Sequence, residues 1–388
     1  MRTTAKLLDI CDFQGGTQPP KDEWISEPRD GYIRMLQIRD YTQGDEKFIE
    51  YVLDNGKLHK CNKDDIMLSR YGYIGQAFTG LAGAYNVALV KVIRKKEIET
   101  KYLLYYFKSR YFQNHLLENV GARATIPGFN KTELKNAIIS IPDEKDQKHI
   151  ANILERVEHI ISLRQEQLSI LDDLIKARFV EMFGDPISNP RGWPKSCIED
   201  VVAKEKNALK AGPFGSALKK EYYVESGYKI YGQEQVISGD PNYGDYFISE
   251  EKYRELESCA VQAGDVLISL VGTYGKLLIM PSQFQPGIIN PRLLKITFDK
   301  SKVNPYYFQH FFQSESLSNA LGNNTHGGTM DILNLGIVRK IKMPLPPKSL
   351  QDEFVSFVAQ VDKSKSVIQK SLDETQLLFD SLMQKYFG

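Results

Sequence analysis

DIMLSRYGYIG (residues 65–75) and DVLISLVGTYG (residues 265–275) share one skeleton: an acid, an aliphatic run ending in serine, and two glycines three apart. The glycines fall at Gly72 and Gly75 in the first stretch and at Gly272 and Gly275 in the second. One match of this kind carries little weight, but a duplicated unit must keep a near-constant offset through many segments. It does. Gly31-Tyr32 matches Gly227-Tyr228, Tyr106-Phe107 matches Phe311-Phe312, Thr125 and Asn130 match Thr329 and Asn334, and Ile141-Pro142 matches Leu345-Pro346. Gln147 then matches Gln351 and Phe183-Gly184 matches Phe387-Gly388, so the chain reads as two copies of one unit.

Each copy has a globular part followed by a long helix. The globular parts contain short β-rich runs such as AYNVALVKVI (84–93) and RLLKITF (292–298), punctuated by turns such as DNG (54–56) and SGDPNYGD (238–245). KYLLYYFKSRYFQNHL (101–116) and PYYFQHFFQSESLSNAL (305–321) place aromatics three and four apart, which predicts helices whose rings pack into a core rather than stack on bases. The fold class expected is α+β: two similar globular domains, each a mainly antiparallel sheet with helices. After Pro142, and after Pro346-Pro347, no proline or glycine occurs until Gly184 and Gly388, the punctuation of a helix that starts at proline and ends at glycine.

Each such helix would reach ~60 Å at the standard rise. Ile150, Leu154, Val157, Ile161, Leu168, Leu171, Ile175 and Met182 fall on the a and d positions of the first, and Phe354, Val358, Val361, Ile368, Leu372, Phe379 and Leu382 on those of the second. Arg164, Lys365 and Thr375 interrupt the seam. A long amphipathic helix must bury its stripe, and its duplicate is the obvious partner. An antiparallel two-helix coiled coil satisfies both connections and gives an internal pseudo-two-fold with a globular part at each end. Ile153, Ile160, Leu174, Phe357 and Leu378 widen the stripe, which points either to helices of a partner or to capping of the globular parts. The domain bounds expected are 1–142 and 185–346 for the globular parts and 143–184 and 347–388 for the helices.

Composition sets the class of partner only loosely. With 388 residues and 42% hydrophobic content the chain can build proper cores. No run approaches the ~20 apolar residues of a membrane span, and MRTTAKLLDICDF breaks into Asp9 and Asp12 before a signal-peptide core develops. A cytoplasmic protein with no membrane partner is expected. The net charge of +1 hides a mild excess of bases in residues 1–142 and of acids in both helical segments. Local basic patches therefore permit DNA contact without announcing it.

Chemistry-bearing motifs are missing. There is no Walker loop, and the strings NPRG (189–192), NPRL (290–293) and NPYY (304–307) lack the second proline of an adenine methyltransferase motif. Pro142-Asp143-Glu144-Lys145 has the letters of a nuclease site, but its acids belong to the first turn of a helix, where they complement the dipole. Cys11, Cys61, Cys197 and Cys259 are dispersed, and no histidine pair has metal spacing, so no metal site is expected. Two diverged heads on a spacer suit a ligand with two unlike halves, and DNA with paired half-sites about one turn apart is such a ligand.

IPDEKDQKHIANIL (141–154), MPLPPKSLQDEF (343–354) and FGDPISNPRGWPKSCIEDV (183–201) carry a resemblance to the specificity subunit of type I restriction-modification enzymes, over essentially the whole chain. The resemblance implies two target recognition domains, each reading one half of a split asymmetric site in double-stranded DNA, and two helices that act as a ruler for the spacer. It also implies two modification (methyltransferase) subunits that bring S-adenosylmethionine, and restriction/translocase subunits that use ATP and Mg, leaving this chain without cofactor or catalytic residue. The departure is that MPLPP precedes only the second helix while the first follows IPDEK.

Base readout needs donors and acceptors on loops. The candidates are Arg70, Tyr71, Tyr73, Arg123 and Thr125 in the first head, and Lys219, Lys220, Tyr274, Lys276, His326 and Thr329 in the second. Arg70 aligns with Leu270, a shared position where chemistry changes. The alternatives are a DNA methyltransferase with an unrecognised motif, recognised by methyl transfer without a partner, and a two-headed protein scaffold, recognised by indifference to DNA sequence.

Overall fold

The computed structural model describes residues 3–44, 46–120, 128–270, 276–322 and 333–388. The chain divides into two units, Met1–Glu166 together with Ile368–Gly388, and Gln167–Val367.

In the first unit, Thr3–Lys6 pairs antiparallel with Ile138–Ile141. A four-stranded antiparallel sheet runs in the order Cys11–Gly15, Leu89–Arg94, Met67–Ser69, Ala77–Phe78. A second runs Tyr51–Leu53, Tyr32–Leu36, Gly83–Tyr85, Lys60–Cys61. The second unit repeats each sheet. Lys195–Cys197 pairs with Lys342–Pro344, one sheet runs Leu209–Ala211, Leu293–Ile296, Val266–Ser269, Leu277–Ile279, and another runs Tyr223–Val224, Phe247–Ile248, Tyr228–Tyr231, Gly287–Ile289. One pair in each unit is parallel, Met35 beside Ala84 and Ile230 beside Ile288. Some fifty residues, short helices among them, intervene in each case, ample for the crossover a parallel pair requires.

The aromatic helices form as expected, Thr100–Lys108 and Arg110–Asn119 in one unit, Pro305–Phe312 and Glu315–Gly322 in the other. Their rings are core: Tyr102, Tyr106, Phe107, Phe112, Tyr307, Phe308, Phe311 and Phe312 are buried. The two long helices span Glu144–Phe183 and Lys348–Phe387. Each starts in one unit and ends in the other. In the first unit Ile150 and Leu154, near the start of the first helix, share a core with Met383 and Phe387 at the end of the second. In the second unit Ile175, Phe179 and Phe183 share a core with Phe354, Val358 and Val361. Within each unit the two segments therefore pack in opposite chain directions. Val157 and Ile161 are buried, while Leu168, Leu171, Met182, Ile368, Leu372, Phe379 and Leu382 are half-buried. Lys365 interrupts the stripe with its Nζ donating to Asp172 at 2.5 Å.

The duplication extends to single hydrogen bonds. Gln147 is buried; its Nε2 donates to the Pro142 carbonyl at 2.8 Å and its Oε1 accepts from the Glu99 amide at 2.9 Å. Gln351 does the same with the Pro346 carbonyl and the Asn304 amide, both at 2.9 Å, and also donates to the Lys302 carbonyl. Each glutamine thus ties the start of a long helix to the start of an aromatic helix. Tyr102 donates to the Ser140 carbonyl at 2.8 Å and Tyr307 to the Pro344 carbonyl at 3.0 Å. The aromatic that ends a long helix then closes the core of the other copy: Phe387 lies 5.0 Å from Tyr102, and Phe183 lies 4.9 Å from Tyr307, ring to ring. Cys11, Cys61 and Cys259 are buried free thiols, and burial pushes the Cys11 thiol up to about 12.

Replacing Gln351 with leucine keeps its size but orphans a buried amide and up to two carbonyls, so we expect a loss of about 1–3 kcal/mol, read as a lower urea midpoint at unchanged slope. A second expectation concerns His310, which packs edge-on against Phe354 at 5.1 Å. Burial, helped by the charge of Lys365, holds its pKa down at about 4. A depressed histidine favours folding above its unfolded value of ~6.5 and gives that stability up as pH falls toward 4. The urea midpoint of the wild type should therefore drop more steeply than that of His310→Phe between pH 7 and 4.

Candidate nucleic-acid interface

The loop that follows Met67–Ser69 is a closed turn built around Ser69. Its Oγ donates to the Tyr73 carbonyl and accepts from the Gln76 amide, and its carbonyl accepts from the Gly75 amide at 2.7 Å. Gly72 and Gly75 both take positive φ, 72° and 77°, which only glycine does without strain. A Cβ on Gly75 would also lie 2.5 Å from Leu116. The turn pushes Tyr73 out at its tip, 79% exposed. Tyr71, half-buried, bridges Gly128 through the backbone.

Arg70 is placed differently from a free reader. Its Nε donates to the Phe129 carbonyl at 3.1 Å, its Nη2 donates to Asn130 Oδ1, and its guanidinium lies 5.3 Å from the Tyr71 ring centre. It clasps the chain just after residues 121–127. Arg123, Thr125, Tyr274, His326 and Thr329 lie outside the described residues. Lys219, Lys220 and Lys276 are exposed, and Lys219 pairs with Glu221 at 3.3 Å.

Behind these side chains both units build the same backbone frame. Asn86 donates its amide to the Leu36 carbonyl, accepts from the Ala88 amide on its side chain, and accepts from the Leu89 amide on its carbonyl. Asn290 repeats this with Tyr231, Arg292 and Leu293. Gly16 and Gly212 press against the two asparagines so closely that a Cβ would fall 2.0 and 1.9 Å from their carbonyl oxygens. The frame also sets Arg70 beside Ala88, amide to carbonyl at 2.7 Å, and Leu270 beside Arg292 at 2.9 Å. Each unit therefore carries one arginine at this pair of positions, on opposite members.

The surroundings differ as well. In the first unit Glu50 gathers Lys21 at 2.6 Å, Arg39 at 2.5 Å and the Gln37 amide at 2.8 Å. Burial by itself raises the Glu50 carboxyl, but these three donors outweigh it and hold it below its ordinary value. In the second unit the strand position of Glu50, whose carbonyl accepts from Met35, is taken by Tyr246, whose carbonyl accepts from Ile230. A cleft of about 350 Å³ opens there, lined by Lys220, Tyr223, Gln233, Glu234, Tyr246 and Arg292 among others. Of these only Lys220 was a sequence candidate. Arg292 lies in NPRL, a string that carries no local sign of a binding role. The offset linking Gln147 to Gln351 also links Ala88 to Arg292, and that was the signal to follow.

Among the described residues no group of three or more metal-ligating side chains converges, and no helix is long and apolar enough to cross a membrane.

Comparison with known proteins agrees with this duplicated frame. The MjaVIII type I restriction enzyme specificity subunit of Methanocaldococcus jannaschii is 22% identical over 385 residues, covering 96% of this chain and 88% of that one. The MjaIX type I restriction enzyme specificity subunit of the same organism is 20% identical over 410 residues, covering 98% and 91%. The S subunit of a type I restriction-modification system from M. genitalium shares the fold at a TM-score of 0.55 and 15% identity, covering 100% of this chain and 96% of that one. A chain from a structure of type I restriction-modification complex assembly matches at 0.61 and 17% identity, covering 100% and 97%. The profile of the type I restriction modification DNA specificity domain matches twice, at residues 3–171 and 190–375, and the chain belongs to that family.

Proposed function

We propose that the chain is the DNA-reading member of a type I restriction-modification complex, with residues 1–142 and 185–346 as target recognition domains, each reading one half of a bipartite asymmetric site. The observation that carries this reading is the identical backbone frame of the two units dressed with different polar side chains, since unlike readers on like scaffolds give unlike half-sites. Residues 143–184 and 347–388 are the spacer helices. Ile150, Leu154, Val157, Ile161, Leu168, Leu171 and Ile175 on the first pair with Phe354, Val358, Val361, Ile368, Leu372, Phe379 and Leu382 on the second.

Exposed apolar side chains on the same helices, Ile160, Leu163 and Leu377 in one unit and Ile170, Leu174 and Val367 in the other, supply surface for two modification subunits. Those subunits bring S-adenosylmethionine, and restriction subunits bring ATP-driven translocation, all in the cytoplasm. Base contact in the first domain centres on Tyr73 and the segment held by Arg70, with Tyr71, Arg123 and Thr125. In the second it centres on Lys219, Lys220, Tyr274, Lys276, His326 and Thr329.

Methylome sequencing of a host carrying this chain with its modification partner should show one split, asymmetric methylated motif that is lost when either recognition domain is deleted. Methyl transfer by the purified chain alone would overturn the reading. Because Arg70 holds Phe129 and Asn130, Arg70→Ala should release that segment, relaxing selectivity at the first half-site of the methylated motif and leaving the second half-site as it was, whereas uniform weakening over all sequences would mean that the segment it holds does not read bases.

A further inference from the structure

The cleft of the second unit contains a side-chain relay with no counterpart in the first. Ser269, buried at the end of its strand, accepts from Gln233 Nε2 at 2.9 Å. Gln233 Oε1 in turn accepts from Arg292 Nη1 at 3.2 Å. Arg292 can only donate, so it turns the amide oxygen of Gln233 toward itself and the Nε2 toward the Ser269 hydroxyl, and the anchored amide oxygen in turn restrains one arm of the guanidinium. Arg292 itself is exposed, and among the described residues no carboxylate forms an ion pair with it. Residue for residue, the first unit has Ile38 where the second has Gln233, because Gln37 and Gly232 both start the short helix after the central strand. It has Ala88 where the second has Arg292.

We propose, building on the DNA-reading role above, that Arg292 reads a guanine in the second half-site, with Gln233 and Ser269 as the residues that position it. A guanidinium fork presents two parallel donors, and the major-groove edge of guanine presents two acceptors, N7 and O6, at matching spacing. Lys220 lines the same cleft and adds attraction for DNA. Glu234 lines it too, and a carboxylate there repels a phosphate while it accepts from the amino group of the paired cytosine. That acid decides between the two anchors an arginine could take on DNA: the cleft fits a base edge and not the backbone. Tyr246 stands where the first unit has Glu50, the carboxylate that ties up Lys21 and Arg39.

The test is the methylated motif written by the complex carrying Arg292→Ala, Arg292→Lys or Gln233→Met, against the wild type. Arg292→Ala and Arg292→Lys should both lose the requirement for guanine at a single position of one half-site, by roughly 5- to 150-fold in discrimination, because lysine keeps the charge but not the fork. Gln233→Met should loosen the same position more mildly. Thermal midpoints of the two Arg292 variants should stay at the wild-type value, since the arginine is on the surface. An unchanged motif, a uniform loss at every position, or a full rescue by lysine overturns the assignment of Arg292 while the split motif of the wild type still stands. A wild-type complex that writes no split motif overturns the DNA-reading role and this assignment together.

Discussion

Everything in this molecule hangs on where a long helix is allowed to begin. Gln147 and Gln351, each in the first turn of such a helix, are sealed from water and bonded on both faces of the amide. A buried primary amide is tolerated only when its donors and acceptor are used. Satisfying it fixes the helix start against the proline carbonyl behind and the aromatic helix beside it. Within each unit the other long helix contributes its last turns to the same core. Phe183 and Phe387 end those turns, and each closes a core it did not begin.

That reciprocity explains why the cores are so rich in aromatics. A helix end docks on a domain through few side chains, so each must bury a large area. Phenylalanine and tyrosine supply the most contact with the fewest rotatable bonds. The ion pairs along the helices, such as Arg178 with Glu353 at 3.3 Å, are exposed and contribute little beside this packing. In the second unit a different economy holds at Asp265, which is fully buried with Lys295 at 3.6 Å and accepts from Thr297. Its counterpart Asp65 pairs with Lys91 nearer the surface. The pairing is common to both copies, deeper and longer in the second, where Thr297 also donates to the acid.

Much of the architecture was legible in the letters because repetition multiplies weak signals. Neither glycine loop alone identifies a fold, but a constant offset through prolines, glutamines and helix ends does, and the long helices follow from their uninterrupted stripe. The parallel pair of strands in each unit was not legible. Met35 and Ala84 meet only through tertiary folding, and short buried strands look alike whether their neighbours run with them or against them. The surroundings of the candidate side chains were legible in part. Tyr73 stands at the tip of its glycine turn, but Arg70 is spent on Phe129 and Asn130, a fate decided by a segment sixty residues away. Arg292 gave no local hint, since its significance lies in the alanine across the repeat.

Gly16 and Gly212, wedged against asparagine carbonyls, have a final consequence. By letting main chain meet main chain, they fix the backbone shape of each unit at that point without enlisting side chains that point outward from it. Exposed side chains such as Tyr73 and Arg292 take no part in that backbone contact, so changing them leaves it in place. Such a surface is free to drift toward new targets under selection, and a descendant could change what it recognises while inheriting the same skeleton intact.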